Sequence, residues 1–132
     1  MHKSFLKIAT ILGALAVIFG AFGAHSLKQE VSENAVTTFE TGVRYQFYHV
    51  FALLVTGIIY KDFANKWMYY AGNCFITGII LFSGSLYVLT FFVAMVRPVA
   101  NWIVIITPFG GLALILGWIF LFVGIKNGRK IS

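Results

Sequence analysis

The chain is 132 residues long, 60% hydrophobic and 11% charged, with 10 Lys and Arg against 4 Asp and Glu and a net charge of +6. A soluble globular domain is roughly 45–50% apolar and about 25% charged, so this composition excludes that class and leaves room for one membrane domain without a separate soluble catalytic unit. The basic residues flank apolar runs instead of forming a patch, which excludes nucleic acid as the partner and makes them markers of orientation in a membrane.

A helix needs roughly 17–25 apolar residues to cross about 30 Å of hydrocarbon. Four runs qualify, about 5–24, 41–60, 68–94 and 99–125. With their polar extensions they predict helices over about 5–24, 36–60, 67–94 and 98–125, with an outer polar loop over about 25–35. Lys3, Lys7, Lys61, Lys66, Lys126, Arg129 and Lys130 lie on one side, and Lys28, Arg44 and Arg97 on the other. The positive-inside rule then places both termini in the cytoplasm of a bacterial cell. The expected fold is an all-α integral membrane protein: one domain over residues 1–132, with four transmembrane helices in a compact bundle.

The first run follows Lys3 and Lys7 and ends in small residues, as a signal peptide does. Its small residues are ordered, however. Ala9, Gly13, Ala16, Gly20, Gly23 and Ala24 share one narrow arc, and Leu12, Leu15, Phe19 and Phe22 turn away. That is a stripe for close helix packing, and it predicts a retained helix. In the polar connection that follows, Ser32 is placed to cap the second helix, with Glu33 near the positive end of its dipole.

The second helix is two-sided. At 100° per residue, Thr37, Glu40, Thr41, Arg44, Tyr45, Tyr48, His49, Ala52 and Thr56 fall within one half-circle, and Gly42, Val43, Val50, Leu53, Leu54 and Gly57 in the other. An ionisable side chain in hydrocarbon costs several kcal/mol unless it is paired or wetted, so the polar half is expected to face other helices or water. At 1.5 Å per residue, Arg44 lies roughly 24 Å from the inner boundary and His49 roughly 16 Å, close to the midplane.

The turn Lys61 to Lys66 leads into Trp67, Tyr69 and Tyr70, aromatics suited to the membrane interface. The third helix carries a second small stripe, Ala71, Cys74, Gly78 and Ser85. Its polar residues Asn73, Thr77, Ser83 and Ser85 can bond to neighbouring helices or to their own carbonyls. Cys74 is the single cysteine, which excludes an internal disulfide and a multi-cysteine metal site. Pro98 suits the first turn of the fourth helix. Pro108 lies deep in the apolar run and is expected to kink it, with Gly110, Ala113, Gly117 and Gly124 forming a third packing stripe.

Four stretches together, FGAFGAH at 19–25, FETGVRYQFYH at 39–49, LFSGSLYVL at 81–89 and PFGGLALILGW at 108–118, resemble a family of small multi-pass membrane proteins. This is the bacterial domain-of-unknown-function family 423, which has small transmembrane relatives in eukaryotes. The resemblance runs from the first helix to the fourth and implies a four-helix plasma-membrane protein. It implies no particular activity.

The residues that could carry function are His25, Glu40, Arg44, Tyr45, Tyr48, His49, Ser83 and Ser85. Glu40 and Arg44 are spaced i, i+4 in the favourable order, which fits a structural clamp. The same charges fit a site for an anion, a lipid headgroup or a proton path. His49 is expected to be a buried neutral imidazole bonded to Tyr45, Tyr48 or a serine of the third helix, or else a proton relay. His25, His49 and Glu40 have ligand chemistry for a metal but no HExxH or CxxC spacing. Ser83-Gly84-Ser85 reads as a packing seam and not as a nucleophile elbow.

These features predict a non-enzymatic accessory or interaction module without a cofactor. It would act through helix packing at Gly13, Gly20, Gly78, Gly110 and Gly117 and through the polar cluster, with membrane lipids, a second copy or another membrane protein as partners. The alternatives are a minimal transporter or proton conductor built on Glu40, Arg44 and His49, and an intramembrane metal or redox protein.

Overall fold

The computed structural model describes residues 1–128, so Arg129 and Lys130 of the basic tail lie outside the described residues. Every regular element among the described residues is helical: α1 (Lys3–His25), a single 3-10 turn (Leu27–Gln29), α2 (Glu33–Ile59), α3 (Lys66–Gly78), α4 (Gly84–Ala94) and α5 (Asn101–Asn127). Between α3 and α4 the chain does not break but widens into a π-turn over Ile79–Ser83. The third predicted helix is therefore one rod with a bulge near its middle, and the fourth predicted helix is α5. Three helical stretches are long and apolar enough to cross a membrane: Lys3–Gln29, Lys66–Ala94 and Asn101–Asn127. At 27 residues α2 is as long as α5, but Arg44, Tyr45, Gln46, Tyr48 and His49 make it the most polar of the long helices.

Local chemistry sets the ends. The His2 imidazole accepts from the Phe5 amide at the start of α1, and Ser32 Oγ accepts from the Ala35 amide at the start of α2. Asn65 Oδ1 accepts from the amides of Trp67 and Met68 and so opens α3. Its Nδ2 donates to the carbonyl of Gly124, 2.9 Å away, which fastens this turn to the last turns of α5. At the far end of α4 the amides of Arg97 and Val96 donate to the carbonyls of Phe92 and Val93, a Schellman closure with Val96 as its left-handed residue at φ 53°. Glycine is the usual occupant there, because a β-branched side chain is strained at positive φ. This closure also moves Pro98 out of α5. The helix begins at Asn101, so the sequence expectation of Pro98 in its first turn is corrected. Pro108 lies inside α5, which continues through it.

The helices pack chiefly as α1 on α2 and as α3 on α5, with α2 also against α3 and α4. On α1 the small stripe faces α2: Ala9, Ala16 and Gly23 are buried, and Gly13 and Gly20 lie over Val50 and Val43. Leu12 and Phe19, expected to turn away, are half-buried, since Phe19 packs on Phe39 and Tyr87 with ring centroids 6.3 and 4.9 Å apart.

Between the bulged rod and α5 the packing has a seven-residue step in opposite directions. Met68 sits against Gly124, Phe75 against Gly117 and Phe82 against Gly110. Each glycine is the hollow for a large residue opposite. At Gly124 and Gly117 the neighbours closest to an added Cβ are side-chain atoms of Met68 and Phe75, at 2.6 Å. At Gly110 they are backbone atoms of Phe82 and Leu81, because the π-turn brings the rod's main chain against α5.

Three outcomes are expected from thermal unfolding in detergent. Gly110→Ala meets main chain that cannot rotate aside and should cost about 1–3 kcal/mol, the usual range for overpacking. Gly13→Ala and Gly20→Ala meet only ordinary contacts at 3.4 and 3.5 Å and should be neutral or better. Val96→Gly should raise stability by about 1 kcal/mol by relieving the left-handed strain.

Candidate functional site

The buried polar side chains converge on α2. Gln46 occupies the seam formed by Val36, Phe39, Val43, Val50 and Leu53, where the 3- and 4-residue spacing turns it inward to 2% exposure. Its Nε2 donates to the Leu12 carbonyl of α1 at 2.6 Å, and its Oε1 accepts from the Tyr87 hydroxyl of α4 at 2.6 Å. One amide thus ties three helices together. One turn further along, His49 is 5% exposed and reaches a different neighbour. Its Nδ1 lies 2.7 Å from the Tyr45 carbonyl, and its Nε2 lies 3.0 Å from the indole nitrogen of Trp118 on α5.

These two partners assign the tautomer. A carbonyl can only accept, so Nδ1 carries the proton; an indole N–H can only donate, so Nε2 offers its lone pair. The imidazole is therefore held neutral, with both nitrogens occupied. The ring also packs edge-on to Trp118 and against Phe75, with centroids 5.9 Å away in each case.

The serines of the seam complete the ties. Ser83 Oγ donates to the Gly42 carbonyl of α2 at 2.7 Å, and Ser85 shares a 2.6 Å bond with Thr107 of α5. Thr56 and Thr90 donate to carbonyls of their own helices. Among the described residues no buried side-chain nitrogen or oxygen lacks a partner.

The polar half of α2 divides between the inside and the outside of the bundle. Only its His49, Ala52 and Thr56 are buried. Thr37, Glu40, Arg44, Tyr45 and Tyr48 face outward, with Tyr48 53% exposed. The apolar half, Gly42, Val43, Val50, Leu53 and Gly57, takes the close contacts with α1 and α4 instead, because small and branched residues permit the shorter approach. Glu40 and Arg44 share the outward face, one turn apart. His25 ends α1 and is exposed, far along the bundle from His49, which bonds near the middle of α2. Among the described residues no three His, Cys, Asp or Glu side chains are grouped closely enough to hold a metal ion.

Beside the outward face, a groove of about 570 Å³ opens between α2 and α5. His49, Phe82 and Leu114 line its floor, and Tyr45, Tyr48 and Trp118 its walls. Gln46, Tyr87, Trp118 and Thr107 were not singled out from the sequence as site residues. Gln46 had a signal: Val36, Phe39, Val43, Gln46, Val50 and Leu53 alternate by 3 and 4, and a single amide in such a seam is a specifying contact. The indole partner of His49 had none, since nothing in the spacing connects residues 49 and 118.

Comparison with known proteins adds a family model, described as "Protein of unknown function (DUF423)", that matches residues 19–111. The chain is 36% identical over 132 residues to a UPF0382 membrane protein of Haemophilus influenzae, covering 99% of this chain and 100% of that one. It is 33% identical over 132 residues to the UPF0382 inner membrane protein YgdD of Escherichia coli (strain K12), covering 98% and 96% of the two chains. It is also 40% identical over 122 residues to a UPF0382 membrane protein of Staphylococcus aureus, covering 89% and 94%. No solved structure matches.

The bonding pattern separates the polar residues by their effect on stability. His49→Ala and Gln46→Ala should each cost about 1–3 kcal/mol, because each removes a buried side chain together with its hydrogen bonds to other helices. Glu40→Gln and Arg44→Ala should stay within about 0.5 kcal/mol of wild type. The pair Gln46→Leu with Tyr87→Phe should be more stable than either single change, since neither partner is then left unbonded. Unfolding midpoints of these variants and wild type in one detergent check the ranking.

Proposed function

We propose that this chain, which belongs to the DUF423 family of bacterial membrane proteins, is a non-enzymatic interaction module of the cell membrane, acting through the outward face of α2. In this reading one domain crosses the bilayer four times. Support for α2 as the fourth span comes from its antiparallel seat on α1, where Gly57 lies against Phe5 and Leu6, and Gly23 against Phe39. A bilayer that encloses α1 encloses α2 along the same length. Lys3, Lys7, Lys61, Lys66 and Lys126 then gather at one end of the bundle, which argues for both termini in the cytoplasm. A bend of α5 at Pro108 belongs to the same reading, since proline denies the Val104 carbonyl its helical partner.

The observation that carries the proposal is the division of polar groups on α2. Gln46, His49 and Thr56 are spent inside the protein, whereas Glu40, Thr41, Arg44, Tyr45 and Tyr48 lie at or near the surface beside the groove. Charged side chains on an intramembrane face call for a partner that meets them. Conduction through Glu40, Arg44 and His49 has less support, because both nitrogens of His49 are already held.

A photoreactive residue placed at Thr41 or Tyr48 in native membranes should give a discrete adduct, whereas the exposed apolar positions Ile11 and Phe122 should give none. Equal labelling at all four positions, or proton flux in liposomes that His49→Ala abolishes, would contradict the proposal.

A further inference from the structure

We propose that the groove between α2 and α5, together with Arg44 and Glu40, binds one phospholipid whose headgroup carries a phosphate and a primary ammonium, the ethanolamine class. The inference rests on the reading of α2 as a span with an outward contact face, and it names what that face receives.

The argument is one of order along the helix. From the middle of α2 toward its N-terminal end the outward side presents the groove at His49, Tyr48 and Tyr45, then Arg44, then Glu40. An aminophospholipid, followed from the membrane centre toward its surface, presents an acyl chain, then a phosphate, then an ammonium. The two sequences are complementary at every step, and they remain so whichever side of the membrane this end of α2 occupies.

Each step has its own chemistry. The groove is walled by the rings of Tyr45, Tyr48 and Trp118 over a floor of Phe82 and Leu114, an apolar slot at acyl-chain depth. Its shape is braced, since Tyr45 packs on Phe82 with centroids 5.0 Å apart and on Tyr48 at 5.7 Å. Arg44 stands one turn above Tyr48 on the same side, and guanidinium is the side chain best suited to phosphate oxygens. Glu40 stands one further turn out, about 6 Å along the axis at 1.5 Å per residue, within reach of an ammonium attached to that phosphate. Glu40 and Arg44 are both exposed.

The carboxylate provides the selectivity. It repels a headgroup that is only anionic, such as phosphatidylglycerol, and a trimethylated ammonium has no N–H to donate to it. The expected ranking is therefore phosphatidylethanolamine above phosphatidylcholine and phosphatidylglycerol.

The test is native mass spectrometry of the full chain released from micelles holding equal amounts of these three lipids. Wild type should retain one phosphatidylethanolamine with about tenfold preference, the scale of one charge-assisted hydrogen bond. Arg44→Gln should lose that retention about tenfold, and Glu40→Gln should keep a lipid but lose the discrimination against phosphatidylglycerol. Helical content by circular dichroism verifies that both variants fold. Equal retention of the three lipids, a preference for phosphatidylglycerol, or a preference that survives both substitutions would overturn the proposal. A photoadduct from Tyr48 to a polypeptide, a second copy included, would overturn the lipid as occupant and leave the contact face standing. No adduct at all would remove the contact face as well.

Discussion

Hydrocarbon offers no hydrogen bonds, so every polar side chain buried in a membrane protein must find its partner within the protein. That constraint explains why α2, the most polar of the long helices, is also the one held most extensively. Gln46 reaches α1 and α4, His49 reaches α5, and Ser83 reaches back to α2 from the bulged rod. Apolar contacts alone specify position weakly among lipid-like surfaces, whereas each of these bonds admits only one alignment of two helices. The polar residues thus act as registers, and the glycines set how closely the registered helices approach.

The two devices meet at the π-turn. Ile79–Ser83 advances the main chain of the rod toward Gly110, which has no side chain to oppose it. The same close contact carries α5 alongside α2, so that Trp118 comes within a hydrogen bond of His49 and the groove between these helices acquires its floor at Phe82 and Leu114. A π-turn breaks the regular ladder and is frequent where a helix serves a site. Here it turns Ser83 toward the Gly42 carbonyl and leaves Ser85 beside Thr107, two bonds to different helices from residues only two positions apart.

Much of this arrangement was legible in the sequence, for a reason that also marks the limit. Length and hydropathy identify apolar helices, and small residues at regular spacing identify close packing, as Gly110, Gly117 and Gly124 illustrate. Ser32 was readable as a cap because capping is local. The facing of α2 was not. Periodicity says that Glu40, Arg44 and Tyr48 share a side, but not whether that side looks in or out, and in a membrane the usual equation of polar with outward has no fixed sign. The bond from Trp118 to His49 was hidden because it depends on tertiary register, and the π-turn because one extra residue in a helix leaves no mark in composition.

The pairing of α1 with α2 and of α3 with α5 has a consequence for biosynthesis. The chain emerges as two helical hairpins, and the first can close as soon as α2 is made, since the amide of Gln46 donates to Leu12 on the helix just before it. His49 Nδ1 finds the Tyr45 carbonyl within α2, but Nε2 has no such early partner. This second nitrogen stays open until α5 docks and brings the Trp118 indole within 3.0 Å, so the protein holds an unpaired imidazole nitrogen until then. That open valence rewards docking of α5 in the one rotation that presents Trp118 to it.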